Sequence, residues 1–170
     1  MIEVRIESVR VSLMSPNQIV ILRELDGDRR LPIFIGKAEG DAISFRLNEI
    51  SVPRPLSHDL AASIVSALDA RVSQVVISDV HNQHFFATIH IETDGEGAGV
   101  VMDARPSDAL AIASRAECPI FVEEHVMEEV GVLPPGERAA SGTDAGENVG
   151  AFDDFISSLD FSDLDDDKKQ

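Results

Sequence analysis

Gln18–Ile35 reads QIVILRELDGDRRLPIFI, and this stretch decides the class of fold. Ile, Val and Leu dominate Gln18–Leu25, Asp26-Gly27-Asp28 supplies turn residues, and a second apolar run fills Arg30–Ile35. The pattern predicts an antiparallel hairpin. Pro32 has no N–H to give to a ladder, so the second strand belongs at a sheet edge or a bulge. Upstream, Ile2, Val4 and Ile6 alternate with Glu3, Arg5 and Glu7. Val9, Val11 and Leu13 continue the alternation after a phase shift, which predicts a strand with a bulge near Ser8 and a turn at Ser15-Pro16-Asn17.

Downstream, Lys37–Asn48 reads as a helix with Ala38, Ala42, Ile43, Phe45 and Leu47 on its apolar side. Val52-Pro53-Arg54-Pro55 is a stiff extended connection. A second helix spans Ser57–Ala70, with Ser57 as N-cap and Leu60, Ile64, Val65 and Leu68 as the stripe expected to be buried. Three strands follow, Arg71–Val80, His84–Thr93 and Ala98–Ala104, joined by turns at His81-Asn82-Gln83 and Asp94-Gly95-Glu96-Gly97. Pro106–Ala116 is an alanine-rich helix, apolar nearly all round and so expected to be buried. A short strand at Pro119–Val122 and a helix from Glu123 to Val130, ended by Gly131, complete the pattern. The order βββαα-βββαβα is that of an α+β domain: a mixed, mainly antiparallel sheet with helices packed against it, rather than a doubly wound parallel sheet.

The chain has 170 residues, 44% of them hydrophobic, with 14 Lys+Arg against 31 Asp+Glu and a net charge of −17. That balance excludes a generally basic nucleic-acid binder but leaves room for a local basic site. Residues 1–133 read as a single domain. Pro134-Pro135-Gly136 opens a small, polar linker over residues 134–150. Residues 151–170 form an acidic C-terminal tail, in which Phe152, Phe155, Ile156 and Leu159 mark a short amphipathic helix. No apolar run approaches the roughly 20 residues that cross a bilayer, and the charged N-terminal decade does not read as a signal peptide. Cys118 is the one cysteine, so an internal disulfide and a cysteine-cluster metal site are excluded, and a cytoplasmic setting is expected.

No phosphate-binding lysine loop, dinucleotide fingerprint, His-Glu-x-x-His or Gly-x-Ser-x-Gly occurs. The chemical candidates are instead a near-repeat. Arg54-Pro55-Leu56-Ser57-His58-Asp59 opens one helix, and Arg105-Pro106-Ser107-Asp108 opens another. A helix N-terminus with an arginine beside it is an anion site, which makes Arg54, Ser57, Arg105 and Ser107 candidates for phosphate. The same residues are what any helix start prefers, so ordinary capping stands beside that reading. His58 sits where the positive helix end favours a neutral imidazole able to accept a proton. Glu39, Asp59 and Asp108 are carboxylates at element ends that could hold Mg²⁺ or Mn²⁺ if they meet. His81, His84 and His90 lie around one hairpin near Asp79, where a metal site competes with a solvated strand face.

Leu31-Pro32-Ile33-Phe34-Ile35-Gly36-x-x-Glu39-Gly40-x-Ala42-Ile43 resembles the "LPIWIG-x-x-E-A-x-A-I" segment of the bifunctional nuclease domain family. Arg54–Leu60 resembles its "RPLTHDL", and Ala104–Ala111 its "ARPSDAIAL". The three occur in the family's order, and the resemblance covers roughly Ile2–Val132. Phe34, Gly40 and Ser57 stand where Trp, Ala and Thr are usual, and no motif charge is lost. The ending Phe152-x-x-Phe155-Ile156 is similar to the C-terminal helix of many bacterial members. The resemblance implies an α+β domain, self-association to a homodimer or higher oligomer, and nuclease activity toward DNA and RNA with little sequence specificity. Glu39, His58, Asp59 and Asp108 would then be catalytic, the three acids also holding Mg²⁺ or Mn²⁺. The alternative is a non-enzymatic regulatory or assembly module that binds an anionic ligand or a partner protein, with the arginines as structural ion pairs. The acidity of the chain favours the alternative, because a nuclease should attract a polyanion.

Overall fold

The computed structural model describes residues 1–11, 17–93 and 99–134. The expected Ser15-Pro16 turn, the Asp94–Gly97 turn, nearly all of the linker and the tail helix with Phe152, Phe155, Ile156 and Leu159 lie outside the described residues. The elements in chain order are β1 (Ile2–Val11), β2 (Gln18–Glu24), β3 (Arg30–Ile35), α1 (Lys37–Leu47), α2 (Ser57–Ala67), β4 (Ala70–His81), β5 (His84–Thr93), β6 (Val100–Ala104), α3 (Pro106–Ala116), β7 (Ile120–Val122) and α4 (Glu124–Val130).

The seven strands form one sheet in the order β3-β2-β1-β7-β4-β5-β6. Every neighbouring pair is antiparallel except β4 with β7. The chain is therefore α+β with a mixed, mainly antiparallel sheet. Two three-stranded meanders, each legible from its period-two pattern, are joined by β7, whose three residues pair with β1 on one side and β4 on the other. β3 is an edge strand, the place its Pro32 demands. The register of β1 on β2 slips between Ile6 and Ser8, the bulge that the phase shift announced. Asn82 and Gln83, with φ of 49° and 63°, are the two left-handed residues of a tight hairpin between β4 and β5.

Leu22, Leu31, Ile33, Ile77, Val75, Val122 and Leu110 are fully buried, so the core lies between the sheet and the helices. α3 contributes Ala109, Leu110, Ala111 and Ala113 to it. Small alanines let this helix approach the sheet closely, and burial on most sides explains its nearly uniform apolar sequence. α2 differs from expectation. None of its residues is buried, and only Val65 of its apolar residues packs against the core. Leu60, Ile64 and Leu68 are 56%, 52% and 71% exposed. Among the described residues no helix is long and apolar enough to cross a membrane.

Residues Met1–Val132 make one compact unit. Its core cluster is assembled from residues no later than Val130. A chain ending at Pro134 is therefore expected to melt in one cooperative transition by calorimetry. A broad transition or an insoluble product would show that residues 135–170 are needed to complete the fold.

Candidate active site

Arg105 is the N-cap residue of α3, with Pro106 at its first turn, so the chain enters this helix with φ already set. α2 starts differently from the sequence reading. Leu56 occupies its N-cap position, and the Leu56 N–H donates to Asp59 Oδ2 at 2.6 Å. Ser57 is the first helical residue, and neither serine of the repeat makes a side-chain cap. Asp59, three residues in, reaches back to the cap and does that work better than a hydroxyl, because its charge also complements the helix dipole.

The first turns of α2 and α3 meet. His58 Nε2 lies 3.0 Å from Asp108 Oδ1. Arg105 grips the same carboxylate from its own helix, Nε to Oδ2 at 2.7 Å and Nη2 to Oδ1 at 3.0 Å. Its Nη2 also donates to Glu39 Oε1 at 2.8 Å, which brings in the start of α1. Glu39, His58, Arg105 and Asp108 thus form one connected cluster built by three helix starts. Burial pushes the Asp108 carboxyl up, but Arg105 and His58 more than offset that and hold it below the ordinary carboxylate range. Arg105, bonded to Asp108 and Glu39, is held above the ordinary guanidinium value. An ionised Asp108 accepts from Nε2–H of His58, so Nδ1 is left as the proton acceptor of the ring. Among the described residues Nδ1 has no hydrogen-bond partner.

Asp59 is directed elsewhere. Its Oδ1 pairs with Nε of Arg115, a side chain only 7% exposed. Arg115 also donates to the Ala111 carbonyl at 2.8 Å and the Ala42 carbonyl at 3.3 Å. One guanidinium thereby ties α2 to α3 and α1. Burial pushes the Asp59 carboxyl up, and the Leu56 amide and Arg115 more than offset it, leaving it below its ordinary value. Arg115 stands in neither motif start. Its signal was weak, a cation in the last turn of a helix, where any basic residue is favoured by the dipole.

The four phosphate candidates separate. Arg54 is exposed ahead of α2 and, among the described residues, has no ion-pair partner. Ser57 is exposed at the first turn of α2, whereas Ser107 is buried at the first turn of α3. Arg105 is exposed, yet its charge is already met by two carboxylates. The three carboxylates proposed for a divalent ion do not all converge: two meet on one guanidinium, and the third is turned away. Glu39 and Asp108 are held by Arg105, Asp59 by Arg115, and among the described residues no group of three His, Cys, Asp or Glu side chains is arranged to hold a metal. As placed, these residues do not fit a Mg²⁺ or Mn²⁺ site.

Two further features lie outside the cluster. An open groove of about 1100 Å³ is lined by Phe45, Ile50, Val52, Leu56, Asp59 and Arg115, among others, but by none of Glu39, His58, Arg105 and Asp108. The groove is therefore distinct from the cluster, and it meets the start of α2 at Leu56 and Asp59. Cys118 also borders it, and burial pushes its thiol up, which leaves an unreactive cysteine. On the hairpin, Asp79 accepts from His81 Nε2 at 2.9 Å and from His125 Nε2 at 3.2 Å, while His90 turns to Thr88. His125 thus links α4 to β4.

The depressed carboxylates set the acid limit of the fold. A carboxyl whose value is lowered on folding contributes stability above its unfolded value and loses it as pH falls through its folded one. Asp59 and Asp108 are both of this kind, as are Glu7 with Arg30 and Glu24 with Arg29. The melting temperature is expected to stay level from about pH 7 to about pH 5 and to fall below about pH 4. A melting temperature that rises on acidification would contradict the ion-pair assignments.

Residues 20–134 match the bifunctional nuclease domain family. An uncharacterized protein of Mycobacterium tuberculosis is 36% identical over 159 residues, covering 92% of this chain and 94% of that protein. Bifunctional nuclease 1 of Oryza sativa subsp. indica is 25% identical over 120 residues, 69% of this chain but 36% of the plant protein. Bifunctional nuclease 2 of Arabidopsis thaliana is 25% identical over 114 residues, 66% of this chain and 35% of its own length. The match covers every residue of the Glu39–His58–Arg105–Asp108 cluster, and the chain belongs to the bifunctional nuclease domain family.

Proposed function

We propose that this chain hydrolyses phosphodiester bonds in DNA and RNA with little sequence specificity, and that His58 moves the proton. The observation that carries the reading is the His58–Asp108 contact at the junction of two helix starts. Asp108 fixes the ring and its tautomer, the role a carboxylate plays behind a catalytic imidazole. Nδ1 then takes a proton from water as the water oxygen bonds to phosphorus. The imidazolium returns a proton to the ester oxygen that leaves, so one histidine serves as base and then acid. The free N–H groups of the α2 start, Arg54 and Ser57 offer contacts to phosphate oxygens. Arg105 joins them by exchanging a carboxylate for phosphate. These contacts read the backbone common to DNA and RNA, which is why sequence specificity is low. Because Glu39, Asp59 and Asp108 do not all converge, no step is routed through Mg²⁺ or Mn²⁺. The single cysteine suits a cytoplasmic setting.

One observation favours a non-enzymatic module instead. Two carboxylates, Glu39 and Asp108, face the single guanidinium of Arg105, so acids outnumber arginine in the cluster, in a chain of net charge −17. A cleavage assay separates the two. The full chain is incubated with end-labelled single-stranded DNA and RNA, in Mg²⁺, in Mn²⁺ and in EDTA. The proposal expects both substrates to be cut in all three and His58→Ala to be inactive. Cleavage lost in EDTA would restore a metal role and overturn the metal-free step. No cleavage in any condition would leave the binding module.

A further inference from the structure

Arg105 divides its guanidinium between two acids of unequal hold. Asp108, three residues along the same helix, takes the edge formed by Nε and Nη2 and is itself fixed by His58. Glu39 reaches in from α1 and accepts a single bond, from Nη2 at 2.8 Å. A guanidinium carries five N–H donors in a planar fork. With Asp108 on one edge, the other Nη2–H and the N–H groups of Nη1 form a second edge. Among the described residues Nη1 has no hydrogen-bond partner. The Arg105 side chain is 67% exposed and that of Glu39 18%, so the arginine can be reached from solution while the acid beside it is seated against the protein. Gly36 supplies the seat. Glu39 is the third residue of α1, and a Cβ placed on Gly36, the N-cap residue, would collide with Glu39 Oε2. Gly36 has a φ of −65°, which any residue adopts, so glycine serves here to make space for the carboxylate.

We propose that Glu39 is a latch on Arg105, seated by Gly36, which covers the second guanidinium edge until a phosphate of the nucleic acid displaces it. The latch rests on the reading of Arg105 as a phosphate contact and says which carboxylate it exchanges. The two acids differ because they hold different edges. Asp108 stays on Nε and keeps the fork oriented. Release of the one Glu39 bond frees Nη2 to join Nη1 in a bidentate grip on two phosphate oxygens. One anion replaces another on the same cation, so the arginine is never left unpaired. While the latch is closed, its carboxylate repels an incoming phosphate and competes with it for Nη2. Glu39 is therefore a positioning residue that acts through Arg105 and sets how tightly the phosphate backbone is held.

Fluorescence anisotropy of a labelled single-stranded DNA tests the latch, with His58→Ala in every full-length chain so that the probe stays whole. Glu39→Gln keeps the shape of the side chain and removes the charge that competes for Arg105. It is expected to bind about tenfold tighter than the His58→Ala parent. Gly36→Ala keeps every charge and evicts the carboxylate from its seat, and it is expected to bind roughly threefold tighter. In an Arg105→Ala chain both gains are expected to vanish, which a general loss of negative charge would not cause. Melting temperatures are expected to stay close to the parent's, because the ion pair is exposed on its arginine side. Either variant binding no tighter than the parent, no binding by any chain, or a Glu39→Gln gain that persists without Arg105 would overturn the latch. Cleavage is not read, so the two proposals fail separately. A chain that cuts nothing can still show the latch as a phosphate-binding module, and failure of the latch leaves the His58 chemistry untouched.

Discussion

His58→Ala is expected to lower phosphodiester cleavage by roughly 100- to 10,000-fold, the range that a positioned general acid–base contributes. Asp108→Asn is expected to lose a similar factor. The amide keeps the size of the carboxylate, but it no longer holds the ring with an ionised acceptor, and Nδ1 loses its fixed role. The two losses should not add, because both residues act through one imidazole. The double variant is expected to be no slower than about tenfold below the worse single one. Thermal melts of both single variants are the control. His58 makes one side-chain hydrogen bond, so its removal should cost about 1 kcal/mol. Undiminished cleavage by His58→Ala would remove the histidine from the mechanism. A variant that melts far below the wild type would make its inactivity a folding effect.

Arg115→Ala is expected to destabilise the fold by roughly 3–5 kcal/mol, the largest stability effect of any single substitution in this site. The guanidinium is buried, and its removal strands the Asp59 carboxylate together with the carbonyls of Ala111 and Ala42. For a chain of this length the melting temperature should fall on the order of 10 °C. Arg105→Ala provides the contrast. Two-thirds of that side chain is exposed, and exposed ion pairs stabilise by about 1 kcal/mol or less. The sequence offered a choice for the motif arginines between gripping phosphate and supporting the fold. The structural part belongs to Arg115, which stands in neither motif start. Arg115→Ala melting within about 1 kcal/mol of the wild type would refute this assignment.

The family departures have local explanations. At Gly40, where alanine is usual, an added Cβ would lie 2.1 Å from Oε1 of Gln18. Gln18 is buried and donates to Asp41 Oδ1 at 2.8 Å, so its side chain fills the space that the methyl would take. Phe34 lies on the edge strand β3, where it pairs opposite Ile19. Serine for threonine at position 57 changes little, because the cap of α2 is made by Asp59 rather than by the hydroxyl.

Much of the architecture is a matter of neighbours in sequence. The β2–β3 hairpin, the β4–β5 hairpin, the bulge near Ser8 and the extents of α1 and α3 follow from period, turn residues and proline, all of which act over a few residues. The near-repeat itself was legible too, an arginine, a proline and an acid at each of two helix starts, but whether those starts meet was not. Three things were decided only by the tertiary structure. β7 joins the two meanders with three residues, too short to announce its partners, and only the space left between β1 and β4 selects it. The α2 stripe has the pattern of a buried face, but α3 and the sheet already satisfy each other, and only the Val65 side finds room. Asp59 and Asp108 look alike in sequence, five residues after Arg54 and three after Arg105, each in the first turn of its helix. Crossing of α2 over α3 brings Asp108 to His58 and Asp59 to Arg115, because a carboxylate entering a partly buried site must find the nearest cation, and which cation is nearest is a property of packing.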